Sequence, residues 1–354
     1  MEEQKHTAES VMALVEQLPI VERVRFQKLF KDAPEKEMGI EEYLEEQRFA
    51  GGRVCPICGG THVQRNGRRP NRSQKYMCKD CGKSFSIRKN SIFSGTHKPM
   101  SVWREYLDCM AEGLSLDKSA ERCGITHGTA FSWRHKILDA ISRSQDGQLL
   151  DGIVEADETF LAVSYKGNAA LFASEEAGRA ARKHGGENHT RGLSDELVCV
   201  PCAIDRKGNA VSKVAKLGKC SAEALGHVLG GRISSESTLC SDEDKSYRKF
   251  SRENGLKLVQ IKGGKSVKGI FHIQHLNSYH SRLKSFVSSF KGVSSKYLNN
   301  YLVWNNMVEH RGGTLRERAL NLLHEMASAL FEEATLAVPM RPALPVFAKN
   351  QSDI

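Results

Sequence analysis

The 354-residue chain has no apolar run of about 18 residues, so no membrane span is expected. Its first residues, Met1-Glu2-Glu3-Gln4-Lys5, lack the charge and apolar core of a signal peptide. No internal repeat recurs along it. With no secretion signal, its 10 cysteines imply a reducing compartment, where metal binding is favoured over disulfides.

What is present is a core and an uneven charge. Hydrophobic residues make up 40% of the chain, and its length allows two or three domains. The formal net charge is +10, yet residues 1–50 carry 7 Lys/Arg against 12 Asp/Glu, and residues 51–150 carry 17 against 8. A basic block behind an acidic leader fits either a nucleic-acid partner or a solvated charged surface.

Hydrophobic spacing predicts helix over residues 10–31, with Pro19 at a break. That segment reads as a hairpin for self-association or as a local cap. Residues 51–90 turn to Gly, Cys and basic side chains, residues 101–139 are helical, and a β-rich region starts at 150–163. Residues 164–195 read as a long polar loop or insertion. Two strands follow, Leu197–Ile204 and Ala210–Leu217, joined by a turn at 205–209. A helix near 221–230, a strand at 237–241, a helix near 244–253 and a strand at 256–261 come next, then helices over about 275–290, 295–311 and 315–335. The tail carries Pro339, Pro342 and Pro345 and is expected to be loosely ordered. This order predicts an α/β, ribonuclease-H-like domain over 150–335. Ahead of it lie a helical segment at 1–50, a zinc ribbon at 51–90 and a helix-turn-helix at 91–145, and a tail at 336–354 follows it.

Cys55-Pro56-Ile57-Cys58 and Cys78-Lys79-Asp80-Cys81 are two CxxC knuckles, each able to present two thiolates to one tetrahedral zinc. Gly59-Gly60 and Gly82-Lys83 supply the turns behind them. Between the knuckles, Arg65, Arg68, Arg69, Arg72, Lys75 and Tyr76 meet phosphates or form a solvated hairpin. Cys199 and Cys202 share the spacing but sit in an apolar strand, where cysteine acts as a small hydrophobe. Leu116–Thr126 reads as a helix, a glycine turn and a helix start. The segment Thr129–Leu138 then offers apolar anchors and exposed basic residues, so the pair is a helix-turn-helix or a plain helical hairpin.

Asp157 and Asp242 each end or interrupt a short, partly apolar run, with Asn277 and Lys284 further on. Carboxylates at strand ends suit divalent cations, because hard cations prefer oxygen. Asp157 is expected on the first strand of the sheet and Asp242 at the end of the fourth. Asn277 and Lys284, seven residues or about two turns apart, share one helix face. Asn277 offers a neutral carbonyl oxygen where a carboxylate binds metal better. Glu155, Glu158, Glu243 and Asp244 are competing acids nearby, and His275 and His280 flank Asn277 as surface or core histidines.

Together these residues resemble bacterial insertion-sequence transposases of the DDE superfamily, in the zinc-ribbon group with an ISXO-type catalytic domain. The resemblance covers about residues 50–311. It rests on the ribbon, on Val154–Phe160, on Ser241–Tyr247 and on Asn277–Lys284, where Asn in place of the usual acid gives the DDNK pattern. It implies a Mg²⁺- or Mn²⁺-dependent polynucleotidyl transferase that binds terminal inverted repeats, cleaves at the element end and joins the freed 3′-OH to target DNA. Asp157, Asp242, Asn277 and Lys284 would be its catalytic residues, with the two aspartates holding the catalytic metal. Cys55, Cys58, Cys78 and Cys81 would hold a structural Zn²⁺. Double-stranded DNA, a homo-oligomeric assembly and a bacterial cytoplasmic, nucleoid-associated location follow from the same resemblance. The alternatives are a non-catalytic DNA-binding regulator derived from a transposase and a nuclease without strand transfer.

Overall fold

The computed structural model describes residues 39–69, 73–145, 147–168, 194–262, 267–311, 313–328 and 337–342. The helix expected at 10–31, Arg72, most of the 164–195 segment and Pro345 lie outside the described residues.

The chain's first described unit is small and built around cysteine. Helix α1 (Ile40–Phe49) leads into an antiparallel sheet of β1 (Val63–Arg68), β2 (Gln74–Cys78) and β3 (Ser84–Ser86). Tyr76 on β2 is fully buried, with its ring stacked on Phe85 at 5.6 Å and edge-on to Phe49 at 5.2 Å. It is a core residue, not a phosphate contact, because a half-apolar strand this short has few other rings to fill its centre.

Three helices follow: α2 (Met100–Ala111), α3 (Leu116–Cys123) and α4 (His127–Gln145). Ser115 caps α3 by accepting from the Lys118 N–H at 3.3 Å, and Gly124 ends it in the left-handed region at φ 58°. The indole of Trp103 on α2 stacks on that of Trp133 on α4 at 3.7 Å. This core does not close locally. Trp304 and Met307 on α8 (Leu298–Arg311) join it, as do Leu322, Leu323 and Met326 on α9 (Leu315–Ser328). The C-terminal helices therefore complete the core of the N-terminal ones.

The second sheet runs in the order β6-β5-β4-β8-β9, with β7 beside β5. Its strands are β4 (Ile153–Ala162), β5 (Leu197–Asp205), β6 (Ala210–Ser212), β7 (Lys216–Leu217), β8 (Thr238–Ser241) and β9 (Lys257–Gln260). β4, β5 and β6 pair antiparallel, whereas β8 and β9 run parallel to β4. The strand expected over Ala210–Leu217 is split in two. The Val214 N–H is taken by the Asn299 Oδ1 of α8 at 2.8 Å, which interrupts the ladder. Side chains alternate across β5 as the pleat requires. Cys199 and Ala203 pack with Leu225 and Leu229 of α5 (Ala222–Leu229) and Phe250 of α6 (Lys245–Glu253). Val198, Val200, Cys202 and Ile204 pack against Leu276, Tyr279 and Leu283 of α7 (Gln274–Ser289). Three layers result, helices over both faces of a mixed sheet, and Cys199 and Cys202 are fully buried in it as small hydrophobes.

Candidate functional site

The parallel register of β4 and β8 pairs Glu155 with Cys240. Asp157 and Asp242 each lie two residues beyond that pair, so adjacent strands deliver them at one level. Asp157 is half-buried, and its Oδ1 accepts from the Glu158 N–H at 2.9 Å. Burial, then the charges of Glu158 and Asp242, push its carboxyl up to about 7, against the opposing pull of Lys284. Asp242 follows the end of β8. Its Oδ1 accepts from the Asp244 N–H at 3.0 Å, and its carbonyl accepts from Gln260 Nε2 at 2.8 Å. Glu158, on the opposite face of β4 from Asp157, accepts from the Tyr247 hydroxyl at 3.0 Å, and burial and Asp242 raise its carboxyl. Asp244 caps α6 through the Ser246 N–H at 2.7 Å. Glu243 is exposed.

Asn277 and Lys284 are both exposed on α7, and Leu276, Tyr279 and Leu283 bury the helix's other side. His280 stands between them along the helix. Burial and the Lys284 charge push its imidazole down to about 4.

Glu155 is only 1% exposed and far from idle. Its Oε2 accepts from the Leu276 N–H in the first turn of α7 at 3.0 Å. Its Oε1 lies 2.7 Å from His275 Nδ1 and 2.8 Å from Arg206 Nη1, with His272 close by. Glu155, His272 and His275 offer three donor atoms close enough for one metal, but the Arg206 guanidinium already stands among them: Nη1 is also 3.1 Å from His272 Nε2. In the sequence Glu155 is one of four acids that compete with Asp157 and Asp242. Its only trace there is an acid two residues ahead of Asp157 on the same strand face.

The ribbon cysteines close on one point. Cys55 Sγ is 3.9 Å from Cys81 Sγ, and Cys58 Sγ is 3.7 Å from Cys78 Sγ. A tetrahedral zinc with Zn–S of about 2.3 Å has edges of about 3.8 Å, so the four sulfurs fit it; a disulfide needs about 2.05 Å. The Ile57 and Gly60 N–H groups point at Cys55 and Cys58 Sγ at 3.4 Å each, as thiolates require. Gly60 is needed for close approach, since a Cβ there would lie 2.1 Å from Asp80 Oδ2.

The basic residues divide. Arg68 and Arg69 are exposed, whereas Arg65 is held by Glu45 at 2.7 Å. Arg134 and His135, expected on an exposed face of α4, are both 1% exposed. Arg134 donates to the Leu114 carbonyl at 2.7 Å and lies over the rings of Phe290 and Trp304, which a distant part of the chain brings in. The exposed residues of α4 lie at its two ends, His127 and Gly128 at the start and Arg143 in the last turn.

A mixed α/β domain thus follows a cysteine ribbon and a helical layer. Residues 149–308 match the family described as ISXO2-like transposase domain, and residues 35–84 match the transposase zinc-ribbon domain of the same IS1595 group. The chain belongs to the IS1595-type insertion-sequence transposases. A relative from Halobacterium salinarum, described as an uncharacterized protein in transposable element ISH50, is 22% identical over 265 residues, 73% of this chain and 86% of the relative. Among solved structures, the pre-cleavage Mos1 transpososome is 12% identical with a TM-score of 0.20, covering 94% of this chain and 95% of that one. The Mos1 paired-end complex with the left transposon end is 13% identical with a TM-score of 0.22, covering 92% and 95%. Scores this low leave the fold to rest on the topology above. No described helix is long and apolar enough to cross a membrane.

Proposed function

We propose that the chain is a DDE-type polynucleotidyl transferase. It would bind the terminal inverted repeats of an insertion sequence and carry out metal-dependent strand cleavage and strand transfer. The observation that carries this reading is the placement of Asp157 on β4 and of Asp242 just past the end of the adjacent parallel β8, each two residues beyond the Glu155–Cys240 pair, with Asp157 pushed up to about 7 by burial and neighbouring carboxylates. Crowded negative charge that holds a proton so firmly is equally suited to hold a hard divalent cation. The strand order, three antiparallel strands followed by two parallel ones, supports the ribonuclease-H-like reading.

In this reading Asp157 and Asp242 would hold Mg²⁺ or Mn²⁺, which would supply Lewis-acid charge to the reacting oxygens. Asn277 contributes a neutral amide oxygen that completes or orients the site. Lys284, exposed two turns further along α7, meets a backbone phosphate. The ribbon's Arg68 and Arg69 and the start of α4, the second helix of a helix-turn-helix, contact the DNA ends. Structural zinc holds the ribbon. The division into 1–50, 51–90, 91–145 and 150–335, the homo-oligomer needed to pair two ends, and the bacterial cytoplasmic, nucleoid-associated location belong to the same reading.

Asn277 favours one competing reading, a DNA-binding regulator without catalysis, because an amide brings no charge to a metal site. Incubating the full chain with labelled element-end duplex and Mg²⁺ or Mn²⁺ separates them. Nicked and joined products support the transferase. Nicking without joining indicates a nuclease, and binding without nicking under either metal indicates the regulator.

A further inference from the structure

We infer that Glu155 is a positioning residue that locks the first turn of α7 onto β4 and thereby fixes Asn277 relative to Asp157. Its catalytic consequence rests on the proposed function; its structural part does not.

The linkage is short. Asp157 and Glu155 are two residues apart on β4, on one face of the strand. Glu155 Oε2 accepts the Leu276 N–H at 3.0 Å, and Asn277 is the next residue. One side-chain hydrogen bond therefore joins the strand that carries one site residue to the helix that carries another. A helix N-terminus leaves N–H groups without partners and favours an anion there, so a buried carboxylate is a strong anchor.

A buried carboxylate also needs its charge offset. Arg206, in the β5–β6 turn, does this at 2.8 Å and donates from Nη2 to the Ile270 carbonyl at 3.2 Å, which holds the segment leading into α7. His275, in the first turn of the helix, brings Nδ1 to 2.7 Å from Glu155 Oε1. The clamp thus gathers β4, the β5–β6 turn and the entry to α7 around one carboxylate. Arg206 Nη1 fills the space among Glu155, His272 and His275 that a metal would need, so the cluster carries its own cation.

The test uses full-length Glu155→Gln, which keeps the volume and removes the charge. Hydrogen exchange of α7 should accelerate by about tenfold or more over residues 274–280, with zinc content and exchange elsewhere unchanged. Cleavage of the end duplex should slow by up to about tenfold, no more than loss of the Asn277 side chain itself, with duplex affinity unchanged. In a cycle with Asn277→Ala, the double variant should lose less than the product of the single losses, because Glu155 acts through α7. Unchanged exchange in α7, or strictly multiplicative losses, would overturn the inference. So would a second zinc per chain that disappears on His272→Ala, which would make the cluster a metal site. If Glu155→Gln fails to fold, Arg206→Met loosens the same clamp from the other side and should give the same exchange pattern. A wild type that does not cleave would refute the proposed function alone, and the exchange result would still decide the clamp.

Discussion

The ribbon and the sheet centre each gather acidic side chains, and they are built in opposite ways. The ribbon brings four thiols within tetrahedral distance of one point and aims backbone N–H groups at two of them. The sheet centre brings Asp157 and Asp242 to one level and leaves the helix residues Asn277 and Lys284 exposed. The four-sulfur cluster is closed and fits a structural zinc, whereas on the proposed reading the sheet centre stays open for a reacting group. Near the second lies a third arrangement, the Glu155 clamp, where an arginine supplies the cation.

Removing either aspartate should have the largest effect. Asp157→Ala or Asp242→Ala should abolish metal-dependent nicking, by about a thousandfold or more, while full-length protein still binds the end duplex. Asn277→Ala should cost only about tenfold, since it removes a dipole and no charge. Equal activity of Asp157→Ala and wild type in a gel nicking assay would remove the sheet centre from the comparison. Next comes the cage. Cys78→Ser should lower zinc from one ion per chain to none by elemental analysis and should weaken end binding. A full zinc complement in that variant would mean that the four sulfurs are not one site.

Smaller effects concern stability without metal. Burial, Glu158 and Asp242 hold the Asp157 carboxyl protonated to about 7, above its ordinary value. The folded chain therefore binds a proton that the unfolded chain has released, and the metal-free protein loses stability as pH rises between those two values. At pH 8, Asp157→Asn should gain on the order of 1 kcal/mol, seen as a higher Tm in chelator, while nicking is lost. A lower Tm would show that the carboxylate is not electrostatically crowded. His135 gives the opposite slope. Burial, and then the Arg341 charge, push it down to about 3, against the pull of Asp139 and with Arg134 also opposing protonation. The unfolded chain takes up a proton first, so this contribution to stability is present above the ordinary histidine value and fades as pH falls toward 3. His135→Gln should flatten that acid limb in thermal melts from pH 7 to 4.

The parts of the molecule legible in the sequence were those set by nearby residues. The knuckles are three-residue spacings, the strand around Asp157 is a local apolar run, and the two-turn spacing of Asn277 and Lys284 is a property of any helix. What escaped was set across long stretches of chain. Leu276 and Glu155 are 121 positions apart, so nothing local marks Glu155 as an anchor. Arg134 reads as a solvated base on α4 until Phe290 and Trp304 arrive over it. The Ala210–Leu217 run reads as one strand because the Asn299 amide that interrupts it lies on α8.

The core shared by α2, α4, α8 and α9 also sets an order of events during synthesis. Helices α2 to α4, given to DNA contact on the proposed reading, leave the ribosome well before α8 and α9, against which they pack. At about 5–20 residues per second, α4 waits on the order of 10–40 s for α9. Chains truncated after β9 should therefore be cut rapidly by protease within 100–145, whereas the full chain resists. On the proposed reading, an unfinished copy of the protein, even with its ribbon folded, would not yet compete for an element end, and the end would stay free for the finished one.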